Sequence, residues 1–161
     1  MNRKIAFLAI ACATLAAAPQ LRAQTNQNPL ARHASEDPAN ILPGAWNGAD
    51  LEKRTNCAAS QNNGSRGTYA EYDVTVDHIN SVLGITQIGI TGLQCTYTGA
   101  YAPDPFRPTW TGHYSCTDGK TGDFHSTGIL ATPNAMSIRL AIKLTGTETC
   151  DIDAILGGSR L

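Results

Sequence analysis

The chain has 161 residues, with 12 lysines and arginines against 13 aspartates and glutamates and no dense basic run. That balance argues against nucleic acid and anionic membrane as partners, because both are usually met by clustered Lys and Arg. The length suits one core, and no second periodic block follows a linker, so a single domain is expected.

Residues Met1 to Ala23 read as an export leader. A basic start (Arg3, Lys4) precedes an apolar run from Ile5 to Ala18, and Ala23 is the small residue at the expected cleavage point. The run falls short of the roughly 20 apolar residues that a spanning helix needs and ends at Pro19-Gln20, so no membrane span is expected. Cys12, in Ala9-Ile10-Ala11-Cys12, loosely matches a lipid-attachment box but lacks the usual Leu three residues earlier, and it is expected to leave with the leader. Loss of Arg3, Lys4 and Arg22 leaves nine basic residues against 13 acids, a mildly acidic periplasmic or secreted protein. Residues 24 to 41 are polar, proline-bearing and aperiodic, which predicts a disordered lead-in before a folded domain over 42–161.

Trp46, in Leu42-Pro43-Gly44-Ala45-Trp46, is a candidate core anchor beside a turn, and the next stretch, Ala49 to Ala59, could hold a helical turn capped by Asp50. From there the dominant period is two. Tyr72, Val74 and Val76 alternate with polar residues, as do Ile88 and Ile90. Leu93, Cys95, Tyr97 and Tyr101 share one face of the next run, and Trp110, Tyr114 and Cys116 share a face of the one after. Met136, Ile138, Leu140, Ile142 and Leu144 form the clearest strand, and Cys150, Ile152, Ala154 and Leu156 continue it through a hairpin around Thr145-Gly146-Thr147. Seven or eight short antiparallel strands follow, closed as a small barrel or, alternatively, stacked as a two-sheet sandwich, since either hides the strand edges.

Cys57, Cys95, Cys116 and Cys150 are an even set in an exported chain and read as two disulfides, with three connectivities open. Their wide spacing does not suit zinc, whose ligands come in close pairs, so no metal and no cofactor are expected. Gly119-Lys120-Thr121 resembles the end of a phosphate-binding loop, yet Tyr114 stands where that pattern needs glycine. Asp118 and Asp123 lack the spacing of a calcium loop. His113, His125, Asp118 and Asp123, around one hairpin, are the catalytic candidates. A three- or five-residue turn after Cys116 would put Phe124 on the Trp110 face, which core formation favours, and point His113, Asp123 and His125 outward. The chain is therefore read as non-catalytic.

Leu42-Pro43-Gly44-Ala45-Trp46-Asn47-Gly48 is similar to the Gly-x-Trp opening strand of the calycin group, the lipocalins and their relatives. Such barrels often carry an Arg near the last strand that packs over the Trp, a role the resemblance implies for Arg160. The sequence also resembles the bacterial metalloprotease inhibitors of that barrel type, in which a cysteine follows Gly-x-Trp within about a dozen residues, as Cys57 follows Trp46 here. The pairing in that family implies Cys57–Cys95, leaving Cys116–Cys150. Their inhibitory N-terminal segment has no matching residues in this chain.

The segment Ala102-Pro103-Asp104-Pro105-Phe106-Arg107-Pro108 is the feature most suggestive of recognition. Its prolines stiffen it, and it displays Phe106 and Arg107 between Tyr101 and Trp110, so these four residues are the candidate binding set. Alternatively, Phe106 folds back over the barrel mouth. A binding protein for a protein partner, such as a hydrolase inhibitor, is the leading function. The alternatives are a carrier of a small apolar ligand, with a cavity lined by Tyr72, Val74, Tyr97 and Tyr114, and an envelope or matrix structural protein.

Overall fold

Strict alternation of apolar side chains makes a strand one-faced, and eight such strands can bury that face by curling round a shared axis. The computed structural model, which describes residues 36–104 and 107–161, has that architecture. A short helix α1 (Pro38–Ile41) leads into β1 (Gly44–Thr55). A 3₁₀ turn (Ser60–Asn62) then precedes β2 (Gly64–Asp77), β3 (Val82–Gly89), β4 (Gln94–Ala102), β5 (Thr109–Cys116), β6 (Lys120–Thr132), β7 (Ala135–Gly146) and β8 (Cys150–Arg160). Each strand pairs antiparallel with the next and β8 returns to β1, closing an eight-stranded up-and-down barrel. The two-sheet alternative is thereby set aside. The leader and most of the lead-in lie outside the described residues, and no described helix is long and apolar enough to cross a membrane.

The inward faces of β7 and β8 are those the alternation predicts. Met136, Ile138, Leu140, Ile142 and Leu144 face Cys150, Ile152, Ala154 and Leu156 across the ladder, and all are buried. Along the axis Trp110, Tyr97, Tyr114 and Phe124 interleave, with ring centroids 4.5 Å apart for Trp110–Phe124 and 4.8 Å for Tyr97–Tyr114. Glycines let neighbouring strands approach closely beside them. Gly99 and Gly112 face each other between β4 and β5, and a Cβ on Gly99 would come within 2.0 Å of the Thr111 carbonyl oxygen. The interior is filled by the chain's own side chains, as small barrels allow. Tyr72, Val74, Tyr97 and Tyr114, expected to line a carrier's cavity, are part of that filling.

Four expectations are corrected by the register. Ala49 to Thr55 is strand, not a helical turn, and Asp50 points inward from β1 rather than capping a helix. On β3 the inward set is Leu83, Ile85 and Gln87, so Ile88 and Ile90 are exposed; a shift of one residue exchanges the faces of a strand. The disulfides join Cys57 to Cys150 and Cys95 to Cys116, not Cys57 to Cys95. Cys95 and Cys116 sit directly opposite in the β4–β5 ladder, whereas Cys57 follows β1 next to the start of β8, so neighbouring strands decide the pairing. Finally, residues 37–41 of the supposed lead-in are structured. Asp37 caps α1 by accepting from the Ala39 amide at 3.0 Å, and Ala39, Ile41 and Leu42 are buried.

Candidate functional site

An up-and-down barrel has two ends, and here they differ in chemistry. One end carries the 78–81 and 133–134 connections with residues 103–104 and 107–108, and is plugged by α1. Trp46 lies fully buried beneath α1, its Nε1 donating to the Leu42 carbonyl at 2.8 Å, while the Arg160 guanidinium stacks 4.1 Å from the Trp46 ring centre. Arg160 also donates to the carbonyls of Pro43 (2.9 Å), Pro133 (2.8 Å) and Ile41, tying plug, loop and last strand together. The packing of Arg160 over Trp46 expected from the sequence is present.

Two of the four candidate binding residues belong to this plugged end as core. Tyr101 and Trp110 oppose each other in the β4–β5 ladder, 5% and 0% exposed. The Tyr101 hydroxyl donates to Asp37 at 2.5 Å and Trp110 Nε1 donates to the Leu83 carbonyl at 3.0 Å, which leaves neither ring a face for a partner. Arg107 is exposed, with its backbone amide donating to Asp104 at 2.7 Å. Phe106 lies outside the described residues. The outward His113 and Asp123 meet at 3.2 Å on the barrel wall, both well exposed, with His125 exposed nearby across a three-residue turn.

The opposite end gathers the 56–63, 90–93, 117–119 and 147–149 connections, and both disulfides lie there. Beneath them the inward positions of β1 change from Trp46 through Gly48 to Asp50, Glu52 and Arg54. Arg54 is 6% exposed. It places Nε and Nη2 each 2.7 Å from Glu52 Oε2 and Nη1 2.9 Å from Glu148 Oε2. Burial alone would make Arg54 easier to deprotonate, but Glu52 and then Glu148 outweigh it and hold the guanidinium charged. Glu148 stands beside Cys150, so the ion pair and the Cys57–Cys150 bridge pin the same two loops together.

A second chain of bonds crosses the barrel above the aromatic core. The Tyr97 hydroxyl donates to Gln87 Oε1 at 3.0 Å, and Gln87 Nε2 donates to Asp50 Oδ2 at 3.0 Å. Asp50 Oδ1 and the Tyr72 hydroxyl have no hydrogen-bond partner. Burial, with a smaller push from the Glu52 charge, raises the Asp50 carboxyl from its ordinary 3.8 to about 7, against weaker opposition from the Gln87 bond and Arg54. Burial likewise lifts the Tyr72, Tyr97 and Tyr114 hydroxyls far above their ordinary value.

These groups floor a recess of about 190 Å³. Asp50, Glu52, Arg54, Gln87 and Tyr114 line it, with Arg66 and Lys120 nearer its rim. Thr91 and Leu93 also contribute, and Ile90, 75% exposed, lies in sequence between the lining residues Gly89 and Thr91, while Ile88 points off the outer face of β3. A carboxyl titrating near neutrality in a desolvated recess can exchange a proton or hold a cation, and perturbed groups of this kind mark functional sites more often than ordinary surface. Sequence reasoning missed the recess because its residues are charged at inward positions. The available signal was the even-numbered spacing Trp46, Asp50, Glu52, Arg54 on one strand.

No family model matches the chain, and no curated protein matches it. Among solved structures it is similar to a de novo designed fluorescence-activating β-barrel, at 12% identity and a TM-score of 0.45, over 78% of this chain and 99% of the designed one. The class defined by the fold is a closed, eight-stranded antiparallel barrel with two disulfides.

Proposed function

We propose that the protein is an exported, non-catalytic binding protein of calycin-like build that engages a protein partner through the loops at its disulfide-braced end. The observation that carries this is the contrast within one barrel: its interior is packed with aromatic side chains, while one end holds a polar recess with exposed Ile90 next to the lining residues Gly89 and Thr91. A filled barrel offers little room for a small apolar cargo. Two cross-links and the Arg54 ion pairs hold the rim loops in place, and a rim ordered beforehand loses little entropy on docking. Interfaces set an apolar core inside a polar rim, and exposed Ile90 beside charged residues brings both kinds of surface to this end. Native mass spectrometry of the exported, non-reduced protein, followed by capture from an envelope extract, tests this. A bare mass, and a captured protein lost on Ile90→Asp, are the expected results; a small molecule released on denaturation would replace the proposal with a carrier.

A further inference from the structure

The recess contains an acceptor with nothing to accept from. Asp50 is 6% exposed, lines the recess, and leaves Oδ1 unpartnered while Oδ2 takes the Gln87 amide. An unmade bond to a buried polar group is costly, and a donor entering the recess would relieve it.

The surrounding groups decide its sign. From β1 come Glu52 and Arg54, from the β7–β8 loop Glu148, from β2 Arg66 and the unpartnered Tyr72 hydroxyl, from β3 Gln87, from β4 Tyr97, from β5 Tyr114, and from β6 Lys120. Among the cations, Arg54 is paired with Glu52 and Glu148 and Lys120 with Asp118, while exposed Arg66 bonds the Asn62 carbonyl at 3.3 Å. A divalent metal fits less well, because it wants several oxygens. The potential metal-binding cluster found among the described residues, Cys57, Glu148 and Cys150, is a disulfide beside a glutamate already paired with Arg54. A volume of about 190 Å³ is below that of pockets for drug-sized ligands and suits one side-chain head group.

We infer that the recess is a binding site for an ammonium or guanidinium group, presented by a lysine or arginine of the protein partner, with Asp50 Oδ1 as its acceptor. This rests on the partner reading above. Thr91 and Leu93, which line the recess, would cover the aliphatic stem of such a side chain, as Lys and Arg stems lie along apolar surface. The raised carboxyl agrees with it, since an entering cation relieves both the desolvation and the Glu52 repulsion that push Asp50 up.

The test is an NMR titration of the full chain, disulfides intact, with n-butylammonium and methylguanidinium chloride, following the Gln87 side-chain amide. A saturable shift is expected, weaker by about tenfold or more in Asp50→Asn, the loss of one charge-assisted bond. In the unsubstituted protein, binding should also be tighter at about pH 8.5 than at about pH 5.5, because only the carboxylate accepts. No saturation, a shift reproduced by sodium chloride, or affinity indifferent to both pH and Asp50→Asn would overturn the site. These cations are supplied free, so the titration decides the site whether or not the rim captures a protein. Cation binding without capture dependent on Ile90 would overturn the partner as the source and leave a free amine.

Discussion

The two ends of this barrel are built from the same strands by opposite means. At the plugged end the polar groups close on each other: Trp46 on Leu42, Arg160 on three carbonyls, Tyr101 on Asp37 and Trp110 on Leu83. At the disulfide end two cross-links and the Arg54 ion pairs hold the loops, while Asp50 Oδ1 and the Tyr72 hydroxyl stay unpartnered. An end that closes its own bonds contributes stability. An end that holds its loops by cross-links can tolerate groups left for another molecule, which is how stability and recognition are commonly separated within a fold.

Substitutions should separate the ends by size and sign. Trp46→Ala should cost about 3–5 kcal/mol by leaving a cavity under α1, measured by denaturant unfolding of the oxidised protein. Removing Cys57–Cys150 by paired serines should cost roughly 4 kcal/mol, more than removing Cys95–Cys116, because the first closes 93 residues of sequence and the second 21. Equal losses would mean that chain restriction is not how the bridges act.

Asp50→Asn should move stability the other way. A carboxyl raised from 3.8 to about 7 binds its proton more tightly in the folded state, so its contribution is complete below about pH 4 and is lost as pH rises through about 7. Above that range the Asn variant should be more stable than the parent by on the order of 2–4 kcal/mol, with a flatter pH profile. Tyr101→Phe, which removes one bond at the plugged end, should cost about 1 kcal/mol at any pH in that range. Arg107→Ala, on the plugged end's exposed loop, should change stability by less than about 0.5 kcal/mol and leave cation affinity at the other end untouched.

The same contrast governs how much could be read from the residues alone. β7 and β8 are plain in the sequence because every inward position from Met136 to Leu144 and from Cys150 to Leu156 is apolar or cysteine. β1 is not, because its inward positions past Gly48 are Asp50, Glu52 and Arg54, and a charged residue is ordinarily placed outside. On β3 inward Gln87 reverses the apparent faces and makes Ile88 and Ile90 look like core. Both failures fall at the recess, where local rules are broken in favour of a site. The cysteine pairing was hidden for a different reason, since spacing along the chain does not say which strands lie side by side. The short α1 escaped notice because four residues carry no periodicity.

The most direct measurement is the carboxyl titration of Asp50, followed by ¹³C NMR in the oxidised full chain with and without n-butylammonium. A midpoint at about 7 that falls when the cation is added is the predicted result. A midpoint in the ordinary range near 4, unmoved by the cation, would contradict a recess left open for a partner and make the disulfide end as self-contained as the plugged one.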